Sequence, residues 1–133
     1  ALTLMTSTPG PELIEAKLKV VFADRAAVKS WRIVKPADLP TDRTYRNAWT
    51  DTGAAVGHNM AKARQIHIDN LRTERVEALF KLDREWFAAD RAKDQAAKDG
   101  INTRKQALLD VTDDPRIAAA QTIDELKAVT LPL

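Results

Sequence analysis

The sequence predicts a mainly α-helical protein: a long amphipathic helix forming a helical hairpin, preceded by a small N-terminal extended or β lobe and an arm. Residues 60–92 contain neither proline nor glycine and carry large apolar side chains at helical spacing. Residues 1–58 instead contain prolines, glycines and short β-branched or aromatic runs. We therefore expect an extended arm over residues 1–17, a strand-loop lobe over 18–58, and a helical hairpin with short C-terminal helices over 59–133.

The arm and the first part of the lobe are expected to be extended. The tripeptide Pro-Gly-Pro at residues 9–11 disfavours a helix, and an arm of this kind is either disordered or held by another surface. In the lobe, residues 18–22 (LKVVF) and 31–34 (WRIV) are candidate strands, with a possible helical turn in residues 23–29. Two prolines then stop any regular element, because the residue before a proline is pushed away from helical geometry.

Residues 41–49 (TDRTYRNAW) gather aromatic and guanidinium side chains in a chain with only 5% aromatic residues. Tyr45 and Trp49 are four residues apart, as are Asp42 and Arg46, so one helical turn would bring each pair together. Arginine stacks on aromatic faces, and Tyr and Trp combine a large apolar surface with a polar tip. We expect this segment to fasten the lobe onto the start of the long helix. The alternative is a binding hot spot, where Trp, Tyr and Arg also predominate.

The long helix is predicted to begin near Met60, after a loop over residues 50–60, with Asn59 or His58 as its N-cap. Its apolar positions recur at offsets of three, four and seven residues, which is a helical period. They are Ile68, Leu71, Leu79, Leu82 and Trp86, with Val76, Phe80 and Phe87 widening the stripe. The helix is about 30 residues, or roughly 45 Å, long.

A second helix is predicted after a short turn at Lys93-Asp94, where the apolar stripe lapses. It runs to about Val111 and completes an antiparallel hairpin, although Gly100 weakens it by about 1 kcal/mol relative to alanine. The alternative is one uninterrupted helix to residue 111, because neither residue of the turn is an obligatory breaker.

The C-terminal residues carry two helix-start signals. Asp114 precedes Pro115, as expected of a cap followed by the first helical position. Thr122 and Glu125 fit a capping box, in which the hydroxyl reaches the backbone three residues on and the carboxylate reaches back. A last short helix should therefore run to about Val129.

No catalytic, cofactor-binding or metal-binding site is predicted. The chain has no Cys, and its two histidines, His58 and His67, are nine residues apart, whereas a metal pair on one helix face needs a spacing of three or four. We expect both to be surface or capping residues. Most helical acids have a basic residue three or four positions away, as on an exposed helix face, with Asp83 as an exception. The four glycines are too scattered for a phosphate loop or a dinucleotide fingerprint, so we expect no enzymatic activity.

The composition indicates a soluble protein whose partners are other proteins. A net charge of +2 is too small to predict a nucleic-acid partner. No apolar run approaches the roughly 18 residues of a membrane span. Alanine buries little apolar surface and aromatic residues are few, so we expect part of the stability to come from partner subunits. The initial Ala is what remains when a leading Met is removed, which favours synthesis in a cytoplasm.

Four segments, in order along the chain, resemble the sequence boxes of one protein family. They are DLPTDRTYRNAW (residues 38–49), MAKARQIHIDNLR (60–72), KQALLDVTDDPRI (105–117) and TIDELKAV (122–129). Together they resemble a family of small tailed-bacteriophage proteins, encoded near tail and tail-fibre genes, whose pattern includes a DLPxDRTxRNAW box. The chain departs from this pattern at Leu109, where the family has Arg, and in its first twenty residues.

The resemblance implies a protein without catalysis that belongs to a phage particle. We expect a virion structural protein, made in the bacterial host cytoplasm and tail- or fibre-associated, that assembles as a homo-oligomer or with other phage structural proteins. The expected contact residues are Leu71, Leu79, Leu82, Trp86, Tyr45 and Trp49. The alternatives are a tail-assembly chaperone absent from the finished particle, a capsid-associated accessory protein, and a small regulatory or host-directed binding protein.

Overall fold

A computed structural model of the protein describes residues 2–5 and 31–132, in two compact units that comprise residues 1–59 and 60–133. The fold is mainly α-helical, with short strands near the N-terminus and two long helices, which confirms the predicted fold class. The predictions for residues 6–30, including the Pro-Gly-Pro turn and the first candidate strand, lie outside the described residues.

Strands β1 (Leu2–Met5) and β2 (Trp31–Val34) form a parallel two-stranded sheet, in register from the first residue of each strand to the last. A parallel pair needs a connection of a dozen or more residues, which residues 6–30 provide by length. The predicted strand at 31–34 is thus confirmed. The start of the predicted arm is extended, and it pairs with a strand of its own chain.

Strands β3 (Trp49–Asp51) and β4 (Val56–His58) form an antiparallel hairpin where the sequence predicted a loop. Each strand has only three residues, too few for an alternation of apolar and polar side chains to be recognised. The turn between them contains Gly53 at φ 86°, a left-handed conformation that glycine adopts without steric cost. The Thr52 amide donates to the Ala55 carbonyl at 3.1 Å and closes this turn.

Residues 41–49 contain one 3-10 turn, over Arg46–Ala48, and not a turn of α-helix, which would have brought Tyr45 and Trp49 together. Trp49 already belongs to β3, so the segment has no helix face on which its aromatic residues could align. The Asn59 amide, just after the hairpin, donates to the Ala48 carbonyl at 2.7 Å and ties the hairpin back to the 3-10 turn.

Helices α1 (Met60–Arg91) and α2 (Gln95–Asp110) form the predicted hairpin, and the alternative of one uninterrupted helix is wrong. The turn between them places Lys93 at φ 57°, in the left-handed region. The Asp94 carboxylate then caps α2 by accepting a hydrogen bond from the Ala97 amide at 2.9 Å. At 32 residues, α1 is about 48 Å long, twice the length of α2.

Ion pairs between α1 and α2 follow the order expected of antiparallel helices. They lie at increasing distance from the turn: Lys98–Asp90 at 2.8 Å, Arg104–Glu85 at 2.9 Å, and Lys105–Asp83. Sequence reasoning expected local pairs three or four residues apart, and the pair between Asp69 and Arg72 at 3.2 Å is one of them. Asp83, which has no local partner, is satisfied across the hairpin instead.

An apolar cluster holds α1 against α2. Its buried members are Leu82, Ala89, Ile101 and Leu108, with Ala78, Leu79, Trp86, Ala97 and Leu131 packed around them. Burying a Leu or Ile side chain contributes about 1.5–3 kcal/mol, so this cluster is the main source of stability in the hairpin.

The C-terminal residues contact the start of α1 through Ala120 and Val129, and Leu131 reaches the cluster between α1 and α2. A 3-10 turn over Val111–Asp113 leads into the short helices α3 (Pro115–Ala119) and α4 (Ile123–Lys127). Four apolar residues of this region are buried: Ile117 in α3, Leu126 in α4, and Ala120 and Val129 after these helices.

Side chains cap both short helices much as the sequence predicts. The Asp114 carboxylate accepts from the Arg116 amide at 2.9 Å at the start of α3. The Thr122 hydroxyl accepts from the Glu125 amide at 3.2 Å at the start of α4. The Glu125 carboxylate reaches back to the Gln121 amide at 2.6 Å, one residue before the partner of a standard capping box.

Candidate protein-interaction surface

Two of the predicted contact residues belong to the interior of the chain. Leu71 is 2% exposed and Leu82 is 7% exposed, and Leu82 is part of the cluster between α1 and α2. Leu79 and Trp86 are half-buried against the same cluster. Helical periodicity identifies residues that become buried, but it does not distinguish the chain's own core from a partner's surface. These four side chains are thus buried or partly buried within the chain, whereas other large apolar side chains of α1 are exposed.

Three large apolar side chains of α1 are exposed: Val76 by 48%, Phe80 by 65% and Phe87 by 60%. At about 100° per residue they lie within roughly 40° of one another and about 150° from Leu71 and Leu82. We call these three residues the outer stripe. The sequence predicts that these residues widen the buried stripe. They occupy the opposite side of the helix instead. A projection of the sequence onto a helical wheel carries this signal.

The two borders of the outer stripe differ in chemistry. Glu77 and Arg84 lie along one border, and both are exposed. Neither has an ion-pair partner in the part of the chain that the structure describes. The half-buried Leu79 and Trp86 lie along the other border. The surface is therefore apolar at its centre, charged on one side and apolar on the other.

One acidic residue interrupts the outer stripe. Asp83 lies between Phe80 and Phe87 along the helix, and its carboxylate pairs with Lys105 of α2. The ion pair compensates the negative charge from within the chain, so the stripe is less polar than its sequence suggests.

Trp86 connects the outer stripe to the core. Its ring meets the Phe87 ring edge to face, with centroids 5.6 Å apart and planes at 86°. The Lys98 ammonium lies 5.4 Å from the centre of the Trp86 ring and also pairs with Asp90. These contacts restrict the Trp86 and Phe87 rings, and pre-ordered side chains lose less entropy when a partner binds.

His67 is a structural residue, and the prediction that it lies on the surface or caps a helix is wrong. It is buried, and its Nε2 lies 2.9 Å from the Val129 carbonyl oxygen, to which the ring nitrogen donates. Nearby on α1, the Arg64 guanidinium donates to the Ala120 carbonyl at 2.7 Å. Both side chains hold the C-terminal residues on α1. Within residues 2–5 and 31–132, no three His, Asp or Glu side chains are grouped as a metal site requires.

Tyr45 and Trp49 are the predicted contact residues of the N-terminal unit. Tyr45 is buried, so it cannot act as an exposed hot spot, and Trp49 is half-buried. The Trp49 indole Nε1 is the buried side-chain nitrogen or oxygen that lacks a hydrogen-bond partner in the described part of the chain. The predicted role of the segment in fastening the lobe onto the long helix stays a prediction.

Two clefts of the helical unit are lined by charged as well as apolar side chains. One cleft between α1 and α2 has a volume of about 170 Å³, below the roughly 300–1,000 Å³ of typical ligand sites. A more open depression of about 570 Å³ is bordered by Asp110, Asp113 and Asp114. The Asp114 carboxylate accepts hydrogen bonds from the Arg116 guanidinium at 2.7 and 3.1 Å. These bonds, and then the bond from the Arg116 amide, lower the pKa of Asp114 below its ordinary value.

A comparison of the chain with protein-family models, with curated proteins and with solved structures finds no match. Among the described residues, the helices are too short or too polar to cross a membrane. The outer stripe and the four sequence boxes are thus the observations that bear on function.

Proposed function

We propose that this protein is a non-enzymatic structural component of a tailed-bacteriophage particle, associated with the tail or its fibres, and that it works by binding other protein chains. The observation that carries the proposal is the outer stripe, where α1 exposes Val76, Phe80 and Phe87 on the side opposite its core. Covering one such side chain contributes about 1.5–3 kcal/mol, and exposed apolar patches of this kind mark interaction sites.

The contacts that hold the outer stripe in place favour a role in assembly. The stripe lies on a helix of 32 residues whose other side is fixed by the apolar cluster and by three ion pairs to α2. A rigid helix face with aromatic anchors is a recurrent way for one protein to bind another. In the described part of the helical unit, the buried polar residue is His67, and its hydrogen bond to a backbone carbonyl gives it a structural role.

The phage assignment rests on the four sequence boxes. Buried residues recur in each of them: Leu39, Tyr45 and Ala48; Ala63, His67 and Leu71; Leu108, Val111 and Ile117; Leu126 and Val129. The capping residues Asp114 and Thr122 also fall within boxes. Core packing and helix capping explain these positions, and four further residues of the first box, Arg43, Thr44, Arg46 and Asn47, are exposed. The resemblance implies a role without catalysis.

Quantitative mass spectrometry of purified particles from the source phage tests the proposal. A fixed stoichiometric ratio to a tail subunit would support it, and a fixed ratio to a capsid subunit would support the accessory role at the capsid instead. Presence in the infected-cell lysate together with absence from particles would overturn it in favour of a tail-assembly chaperone.

Variants in the outer stripe sharpen this test. Phe80→Asp combined with Phe87→Asp should leave the protein folded but reduce its amount in particles. The matched control is Ala88→Asp, an exposed position of α1 about 100° from the centre of the stripe, which gains the same charge per substitution. Equal loss of both variants would contradict a role for the stripe.

A further inference from the structure

We propose that the outer stripe binds the outer stripe of a second copy of this chain, with the two α1 helices antiparallel and Phe87 of each copy against Val76 of the other. This rests on the proposed function only in treating the stripe as a protein-binding surface.

The spacing of the outer stripe fits a helix as its partner. Phe80 and Phe87 are seven residues apart, and Val76 precedes Phe80 by four, which is the alternation of a coiled-coil seam. The seam positions extend from residue 73 to residue 90, about 27 Å along the helix, but the apolar ones are confined to residues 76–87. A partner must therefore present a short apolar segment with the same spacing, and a second α1 does so.

The antiparallel arrangement makes each apolar contact twice, once on either side of the twofold axis. Phe87 of each copy packs on Val76 of the other, and the Phe80 rings lie between these two contacts. Phe80 then faces Asp83 of the second copy, whose carboxylate is already paired with Lys105 of its own α2. A parallel arrangement would instead place Asp83 directly against Asp83, where like charges oppose association.

Charge complementarity selects one register. Glu77 directly follows the seam residue Val76, and Arg84 directly follows the seam residue Asp83. In an antiparallel pair, these positions on one helix lie beside the same positions on the other. With Phe87 on Val76, Glu77 of each copy lies beside Arg84 of the other. Both side chains are exposed, and within the described residues neither has an ion-pair partner to give up.

The neighbouring registers match less well. A shift of one heptad in one direction brings Glu77 against Glu77. A shift in the other direction brings Arg84 against Arg84, and although it places Glu77 beside Arg91, it sets Phe80 against Asp90 and Phe87 against Asp83 in the seam. Like charges at an interface reject wrong pairings, so the two residues act as register markers.

The size of the stripe sets the expected strength. Three large apolar side chains from each copy bury less than the roughly 1,200–2,000 Å² of a standard stable interface. We therefore expect a reversible dimer whose population rises with protein concentration, not a permanent one.

A charge-swap series tests the proposal by sedimentation equilibrium of the full chain over a wide concentration range. Glu77→Arg places Arg against Arg84 at both symmetric sites, and Arg84→Glu places Glu against Glu77, so each single change should weaken dimerisation by roughly tenfold. The double swap restores both opposite-charge pairs and should return the dissociation constant to within about threefold of the original. Far-ultraviolet circular dichroism confirms that each variant is folded.

Two results would overturn the inference: a chain that stays monomeric at every accessible concentration, or a double swap that dimerises as poorly as the single changes. Phe80→Asp combined with Phe87→Asp separates this inference from the proposed function. A monomeric wild-type chain whose stripe variant is lost from particles would sink self-pairing while supporting binding to another phage protein. A dimer that obeys the charge swap but is absent from particles would support self-pairing and overturn the virion role.

Discussion

Arg32 of β2 and Asp51 of β3 form a forked ion pair that joins the two small sheets of the N-terminal unit. The guanidinium Nε and NH2 groups donate to the two carboxylate oxygens of Asp51, each at 2.7 Å. The same carboxylate accepts a hydrogen bond from the Gly53 amide at 2.8 Å, and the Asp51 side chain is only 3% exposed. Asp51 thus holds both the contact between the sheets and the turn of the β3–β4 hairpin.

Replacing Asp51 should destabilise the protein more than a conservative change of its partner. Asp51→Asn keeps the shape of the side chain but loses the charge and one acceptor oxygen, so it cannot satisfy the guanidinium fork and the Gly53 amide together. Arg32→Lys keeps the charge but donates from a single point. Differential scanning calorimetry should give the lower unfolding temperature for Asp51→Asn. Thr50→Ser, at an exposed neighbour in β3, is the control, and an Asp51→Asn melt that matches it would refute this role.

The contact between His67 and the Val129 carbonyl predicts a graded loss of stability. His67→Phe fills the space but leaves the carbonyl without its donor, which should lower the free energy of unfolding by about 1–3 kcal/mol. His67→Gln can still donate from its amide and should lose less. Urea denaturation at neutral pH measures both variants, and equal losses would mean that the ring contributes packing alone.

Leu82 and Phe80, two residues apart on α1, should separate folding from assembly. Leu82→Ala opens a cavity in the cluster between α1 and α2 and should lower the free energy of unfolding by about 2–5 kcal/mol. Phe80→Ala changes an exposed side chain and should alter the free energy of unfolding by no more than about 0.5 kcal/mol. The reverse order is expected for dimerisation, where Phe80→Ala weakens association. Chemical denaturation and sedimentation of both variants provide the measurements; large unfolding of the Phe80→Ala chain would show that the stripe is part of the core.

The Asp114–Arg116 pair predicts a specific dependence of stability on pH. Because hydrogen bonds from Arg116 lower the pKa of Asp114 in the folded chain, folding favours the carboxylate form. This contribution is fully present above the ordinary Asp pKa of about 3.9 and is lost as the pH falls through the lower folded value. Asp114→Asn should therefore be less stable than the original chain near neutral pH, with a difference that shrinks below pH 4 or so.

Asparagine is nearly as good a helix cap as aspartate, so Asp114→Asn isolates the charge from the cap. Asp113→Asn, an exposed neighbour, serves as the control. Thermal unfolding at a series of pH values compares the three chains, and a difference that does not change with pH would contradict the assignment.

Signals that lie within a few residues predicted most of the helical unit. Asp114 before Pro115 and the Thr122 box marked the two short helices, and the lapse of the apolar stripe at Lys93 marked the turn of the hairpin. Each of these depends on local backbone chemistry, which a short window of sequence contains. The β3–β4 hairpin escaped because three-residue strands have no recognisable period.

The candidate site was harder to predict because it depends on what covers each face of α1. The periodicity of Leu82 and that of Phe80 are both helical, and only the position of α2 decides which of them is buried. Likewise, the hydrogen-bond partner of the buried His67 is the Val129 carbonyl, 62 positions further along the chain, and no local sequence pattern predicts that contact. Helical periodicity therefore predicted the helix, but not which side of it the chain's own core covers.

The contacts of Arg64 and His67 have a consequence for the order in which the protein can form during synthesis. Their acceptors, the carbonyls of Ala120 and Val129, are made 56 and 62 residues later. On the ribosome, α1 can pair with α2 as soon as residue 110 has emerged, but its first two or three turns must wait uncovered until Val129 leaves the exit tunnel. A chain that stops between residues 121 and 129 would thus form the hairpin but leave the apolar residues at the start of α1 uncovered.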